Sequence, residues 1–406
     1  MKTDAAMGVV VLLTWALAGC SGQDDVPIRA RLSACDDGRP TTLQVARDVY
    51  GVTQAVADSN GGFLLYGSNT AGNGVARVDH AGNLVEVLEA PRREDWIEDV
   101  SPTADGGTIL ASVDWNLGPT EAASVTKMSP AWSVAWRIGI DAPGASHLVV
   151  RALPDGGAIV AGASGEPNPQ AEGSSLTSGS TNGAFWARLS GEGDLVWEHR
   201  VTFDAGEPDS GSWWADQTLV VGPNGLRFVV GTANGMLLIS SDLDGQSEQQ
   251  QLLDTRLALR PIGAAALPDG RLAVLSDRYG AIVTMIDPDG HVAWEESYGR
   301  EHGVLPFGIA TNTARGEILL SGASGGQELR AERTWMMATD FDGMPTWSLE
   351  RQPMDLVGAD GNVREVDAQQ GPPVIGLAVA PDGTALGAGY TGFQMTYFAF
   401  GAGGCQ

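Results

Sequence analysis

The chain has 406 residues, with 24 Lys+Arg against 50 Asp+Glu and a formal charge of −26 at pH 7. That acid surplus excludes nucleic acid as a main partner and a polybasic grip on anionic lipid, because both need a basic face. Hydrophobics at 43% are too many for a disordered chain, and 55 glycines without a Gly-X-Y period exclude collagen.

The first element is an apolar run over 7–19 (MGVVVLLTWALAG). A bilayer-spanning helix needs about twenty residues, so this run reads as the hydrophobic region of a secretory signal. It ends Leu17-Ala18-Gly19-Cys20, small residues and then a cysteine directly after the run. The tetrapeptide resembles the lipobox of bacterial lipoproteins. The resemblance implies cleavage before Cys20, acylation of that cysteine and, with Ser21 rather than Asp behind it, transfer to the outer membrane. Residues 1–19 are expected to be a signal peptide, 20–40 a tether and 41–406 the folded body.

The body repeats. A glycine turn followed by a short apolar run recurs at 60–68, 105–113, 155–163, 224–232, 269–277, 315–323 and 382–390. The first glycines lie at 61, 106, 156, 225, 270, 316 and 383. Six residues after each stands a small residue: Gly67, Ser112, Gly162, Gly231, Ser276, Gly322 and Gly389. The shortest spacings, 45 and 46 residues, match a four-stranded propeller blade of about 40–50. Within a unit, a strand leads to the glycine turn and a second strand. A third strand follows, as in 184–190 and 334–340, then a tight turn and a fourth strand, as in 195–201 and 291–298. Asn-Gly and Asp-Gly supply the positive φ of tight hairpins, and no long 3.6-residue period predicts helix.

The last unit ends without a fourth strand. Residues 43–51 (LQVARDVYG) align with the fourth strand 291–299 (HVAWEESYG) and supply the missing one. The expected fold is therefore all-β: a seven-bladed β-propeller of four-stranded antiparallel blades, closed by the amino-terminal strand in the last blade. With Cys20 given to lipid, Cys35 precedes that fourth strand and Cys405 follows the third strand of the same blade. The closure puts them on neighbouring ends, and an exported compartment permits a disulfide; two free thiols are the alternative.

Units such as ALPDGGAIVAGAS and NGAFWARLSGEGDLVWEH resemble the delta-60-type and quinoprotein-like propeller repeats of secreted proteins and lipoproteins. The resemblance covers about residues 40–406 and implies the fold; propellers carry many unrelated activities. Trp136, Trp197, Trp294 and Trp347 fall on fourth strands, where the quinoprotein-like repeats dock one blade on the next, with Ala46 and Glu86 at two equivalent places.

Turns between strands one and two and between three and four are short and share one face. The other face carries insertions at 114–122, 164–183 and 324–333 and the inter-blade loops 202–215 and 351–373. A rigid scaffold presents binding residues on such loops. Trp213 and Trp214 offer a stacking platform there. Trp96, Glu98, Asp99, His147, Asp216 and Phe307 stand near the starts of first strands, hence near the axis on that face, as candidates for a central pocket.

No catalytic residue, metal site or cofactor is assigned. Five dispersed histidines show no metal spacing, and G-x-S-x-G and H-E-x-x-H are missing. The Asp-x-Asp-Gly turns at 242–245, 287–290 and 340–343 read as hairpins rather than calcium loops. The expected function is a lipid-anchored envelope module that binds a protein, peptide or glycan through its long-loop face. The alternatives are a propeller enzyme, quinoprotein-like or carbohydrate-active, and an envelope-assembly partner.

Overall fold

The computed structural model describes residues 43–44, 52–69, 72–79, 84–92, 95–114, 123–140, 146–165, 181–202, 218–222, 225–232, 235–257, 261–277, 280–300, 303–324, 333–351, 376–391 and 394–400. Cys20, Cys35, Cys405, Trp213, Trp214, Asp216 and most of the long insertions lie outside them. The described residues contain β-strands and no α-helix.

The strands follow in chain order, beginning with β1 (Leu43–Gln44). Blade 1 is β2 (Val52–Ala57), β3 (Phe63–Asn69), β4 (Gly72–Val78) and β5 (Leu84–Glu89). Blade 2 is β6 (Asp95–Pro102), β7 (Thr108–Asp114), β8 (Ala123–Met128) and β9 (Val134–Gly139). Blade 3 is β10 (Ser146–Ala152), β11 (Ala158–Gly165), β12 (Thr181–Leu189) and β13 (Leu195–Thr202). Blade 4 is β14 (Leu219–Gly222), β15 (Gly225–Thr232), β16 (Gly235–Ser241) and β17 (Gln249–Leu252). Blade 5 is β18 (Pro261–Ala266), β19 (Leu272–Asp277), β20 (Ala281–Ile286) and β21 (Val292–Tyr298). Blade 6 is β22 (Leu305–Asn312), β23 (Glu317–Ser324), β24 (Arg333–Asp340) and β25 (Pro345–Arg351). A terminal sheet follows with β26 (Gly376–Val379), β27 (Ala385–Thr391) and β28 (Gln394–Phe400).

Each blade is a four-stranded antiparallel meander in chain order. In the terminal sheet, β1 lies beyond β28, with Leu43 opposite Tyr397 and Gln44 opposite Thr396. The rest of the expected amino-terminal strand, 45–51, lies outside the described residues. First strands of successive sheets adjoin around a common axis, and β26 adjoins β2. Four-stranded sheets radiating from inner strands in this way form a β-propeller.

The hydrophobic core lies between sheets rather than within one layer. Leu64 and Tyr66 of β3 face blade 2 and pack with Ile97, Val100 and Leu110. Their neighbours Phe63 and Leu65 point the opposite way and pack with Ala378, Leu386 and Ala388 of the terminal sheet. A strand's two-residue period thus feeds two interfaces at once, so β8 and β20 are buried at every residue. Fourth strands such as β13 have only one covered face and mix exposed with half-buried positions.

The turn glycines do two jobs. Gly61, Gly106, Gly156, Gly270 and Gly383 adopt φ between 82° and 86° at the turn after the first strand. The following Gly62, Gly107 and Gly157 pass so close to the carbonyls of Val78, Met128 and Leu189 that a Cβ has no room. The Gly-Gly pair therefore joins a conformational need to a steric one.

Candidate functional site

Five first strands begin with a fault in the ladder. Register shifts fall between Val52 and Gln54, Ile97 and Asp99, Ser146 and Val149, Pro261 and Gly263, and Pro306 and Gly308. The residues passed over are Thr53, Glu98, the pair His147-Leu148, Ile262 and Phe307. Bulges re-aim side chains and strengthen twist. All five lie at the start of an inner strand, hence at the axis on the long-loop end.

The recurrent small residue has its explanation here. Gly67, Ser112, Ser276 and Gly322 stand opposite the residue before the shift, and Gly162 lies within the shifted stretch of blade 3. A Cβ on Gly162 would lie 2.8 Å from Cε1 of Phe185 and 3.0 Å from Cδ2 of Leu148. A Cβ on Gly322 would overlap the Leu305 carbonyl. The bulge crowds its partner strand, so a small side chain is required there.

Three of the expected pocket residues, Glu98, His147 and Phe307, are thus bulge residues. Glu98 and Phe307 are half-buried. Trp96, one turn of the pleat earlier on β6, is 39% exposed. His147 belongs to β10, but its side chain is not among those described. The Leu148 N–H donates to the Glu98 carboxylate, so Glu98 and the 147–148 bulge are brought together. Phe307 sits on β22, in another sector of the ring.

Asp99 departs from the expectation of a pocket residue: it is fully buried. Its Oδ1 accepts from the Tyr66 hydroxyl (2.8 Å) and the Val100 N–H (2.9 Å). Its Oδ2 accepts from the Val150 N–H (2.8 Å) and from Arg151 Nη1 (2.5 Å). One carboxylate therefore ties blades 1, 2 and 3. Burial pushes its pKa above the ordinary aspartate value, against the pull of Arg151 and of the hydrogen bonds from Val150, Tyr66 and Val100. The Ala152 N–H donates to Ser101 Oγ (2.8 Å). Side chains of β6 thus cap the axial edge of β10, where no further strand follows.

The short-turn face is held by a different device. Trp136 Nε1 donates to the Gly191 carbonyl (2.8 Å) and Trp197 Nε1 to the Leu243 carbonyl (3.1 Å), each in the next blade. The Tyr298 hydroxyl donates to the Gly343 carbonyl (2.6 Å). Trp294 packs on blade 6 residues and Trp347 on Leu377 and Ala385 of the terminal sheet. These fourth-strand tryptophans dock blades on one another, as the repeat pattern implied. Glu86, at an equivalent place, forms an ion pair with Arg77 instead.

The Asp-x-Asp-Gly turns cap themselves. Asp242 Oδ1 accepts from Asp244 N (3.1 Å) and Gln246 N (2.8 Å), and Asp340 Oδ1 from Asp342 N (3.0 Å) and Met344 N (2.8 Å). Asp287 Oδ1 accepts from His291 N (2.8 Å). Among the described residues no three His, Cys, Asp or Glu side chains converge as a metal site.

No protein-family model matches the chain, and no curated protein matches it. Solved structures do. The structure titled "YCF48 bound to D1 peptide" is similar with a TM-score of 0.54 at 15% identity, over 89% of this chain and 96% of that one. A protein of unknown function from Bacteroides caccae is similar with a TM-score of 0.45 at 14% identity, over 71% of this chain and 92% of that one. At these identities the likeness is one of fold, and the class is the β-propeller.

Proposed function

We propose that the protein is a non-catalytic binding module of the cell envelope that takes a peptide segment of an envelope protein at the long-loop end of its axis. The observation that carries this reading is the repeated bulge, which turns Glu98, Ile262 and Phe307 out of the ladder at one end of the ring. Beside them Trp96 leaves a large apolar surface partly in water. The YCF48 structure, a ring of similar fold, has a peptide bound, which favours a polypeptide over a glycan as the ligand class.

In this reading the terminal sheet is the seventh blade and β1 is its closing strand. The register of Leu43 with Tyr397 and Gln44 with Thr396 directs the chain before Leu43 toward the Phe400 end of β28, on the short-turn side. An acyl chain on Cys20 then tethers the ring from that side and leaves the long-loop face toward its partner. A Cys35–Cys405 disulfide fastens the same blade. Trp213, Trp214, His147 and Asp216 complete the binding face.

A photo-crosslinking residue at Phe307, compared with one at Val85 on the outer edge of blade 1, tests the assignment in whole envelopes. Adducts to a discrete polypeptide at 307, lost in Trp96→Ala, are expected. Equal adducts at both positions would reject the axial site. Radiolabelled palmitate incorporation that survives Cys20→Ala would reject the anchor.

A further inference from the structure

At the opposite end of the axis the inner strands run out into the short turns and leave an open mouth. It is lined by residues of five sheets: 57–59, 102–104, 152–154, 311 and 313, and 379–381. Its volume is about 470 Å³ and its wall is mostly apolar, with Leu153, Pro154, Val379 and Pro381 among the lining side chains. None of the bulge residues at the long-loop end contributes to it.

The rim is rich in carboxylates, although the corresponding turn of blade 6 carries the exposed Arg315. The turns around the mouth carry Asp105, Asp155, Asp269 and Asp382, and the next ring of turns carries Asp244, Asp289 and Asp342. Asp105 and Asp155 are 55% and 51% exposed, and Asp244 and Asp342 are 80% and 85% exposed. The Thr103 hydroxyl and the Gly107 N–H hold Asp105, and the Gly157 N–H and then Arg188 hold Asp155, below the ordinary aspartate value, so both are ionised at neutral pH.

Four other cations near these turns are already committed. Lys127 bridges Asp105 (3.3 Å) and the Gly156 carbonyl (3.2 Å). Arg188 bridges Asp155 (2.7 Å) and the Leu243 carbonyl (2.8 Å). Arg271 bridges Asp269 (2.7 Å) and the Phe341 carbonyl (3.0 Å). Arg227 donates to the Gly270 and Pro288 carbonyls (2.8 and 2.6 Å). Each is fixed between blades, and Lys127, Arg188 and Arg271 each offset one inner carboxylate, which leaves the surplus of acid to the outer turns. Between the lining residues Thr311 and Thr313, buried Asn312 donates Nδ2 to the Gly383 carbonyl (3.0 Å), while its Oδ1 has no hydrogen-bond partner.

We propose that this mouth is a second binding site, for a lysine- or arginine-bearing segment of a partner protein with apolar residues between its charges. The apolar wall receives the uncharged side chains and stems, and the carboxylate rim receives the cationic heads. This site is independent of the long-loop site and needs none of its residues.

The probe is a fluorescent twelve-residue peptide of lysine alternating with valine, read by anisotropy against the full chain, with a glutamate-for-lysine peptide as control. Binding of the lysine peptide alone is expected, weakened at least tenfold by Ala104→Trp, which fills the mouth from an exposed turn position. Unchanged affinity in a folded Ala104→Trp protein would overturn the proposal, because the attraction would then be non-specific. Where Ala104→Trp does not fold, a photoreactive lysine peptide replaces it. Adducts confined to 57–59, 102–104, 152–154, 311–313 and 379–381 support the site, and scattered adducts overturn it. Displacement of the peptide by free segment 26–32 (VPIRARL) of this chain, with no displacement by a basic partner segment, would overturn the assignment to a partner protein.

Discussion

At the short-turn end, indoles and guanidiniums of one blade reach the turn carbonyls of the next, as Trp197 and Arg188 both do to Leu243. At the long-loop end the ladders are interrupted, and side chains cap an inner strand that has no further strand beside it. The first arrangement makes neighbouring sheets rigid with respect to each other. The second gives up regular pairing and thereby frees side chains to face the axis. The difference teaches that a ring can concentrate its docking bonds at one end and leave the other end for recognition.

The largest expected effect breaks the exception to that division, the buried Asp99 at the long-loop end. Asp99→Ala leaves Arg151 and the Val150 N–H without their acceptor, a loss of about 3–5 kcal/mol by urea unfolding. If the variant unfolds like the wild type, the carboxylate does not hold the three blades. Its titration gives a second reading. Because the folded pKa of Asp99 is raised, its stabilising contribution is present below the ordinary aspartate value and is lost as pH rises through the folded value. Asp105, Asp155 and Asp269 are lowered, so theirs is present above the ordinary value and lost as pH falls through the folded values. Asp99→Asn is therefore expected to make stability rise more steeply with pH than in the wild type, from the ordinary aspartate value of 3.8 upward. An unchanged slope would show that Asp99 titrates normally.

Next comes the docking end itself. Trp197→Ala removes both the packing on blade 4 and the bond to the Leu243 carbonyl, and should cost about 2–4 kcal/mol. Trp197→Phe keeps most of the packing and should cost about 1 kcal/mol. Equal losses for the two would assign the whole effect to the hydrogen bond.

A smaller effect is expected at the bulge. Gly162→Ala forces Phe185 or Leu148 to move and should cost about 1–3 kcal/mol by overpacking. A neutral result would mean that the small residue is not required by the bulge.

The smallest concerns Trp132, a non-glycine residue at φ 57° where other blades have Gly193, Gly290 and Gly343. Its indole donates to the Glu89 carbonyl of blade 1 (2.9 Å). Trp132→Gly relieves a left-handed backbone costing roughly 1–2 kcal/mol and loses a contact of similar size, so stability should change by under about 1 kcal/mol. A large loss would show that this backward contact outweighs the strain.

Much of this was legible in the chain. Glycine anchors, tight-turn residues and fourth-strand tryptophans report local geometry, since positive φ, hairpin closure and indole packing each demand particular residues. The small residue six positions after each anchor, Gly162 and Gly322 among them, was visible as a pattern without its cause. The cause is a bulge on the paired strand, which is a property of register and has no residue signature of its own. Glu98 and Asp99 look alike in sequence, and their position near an inner-strand start was inferred for both. One residue of slippage leaves Glu98 at the bulge and sinks Asp99 among Tyr66, Val150 and Arg151.

The sequence by itself determined the repeat, its strands and turns and the acidic balance, because these follow from backbone preferences and composition within a few residues. The division of the axis into a docked acidic mouth and a bulged opposite end was decided only by the tertiary structure. Both depend on residues from several sheets meeting around one line, and the chain separates those residues by whole blades.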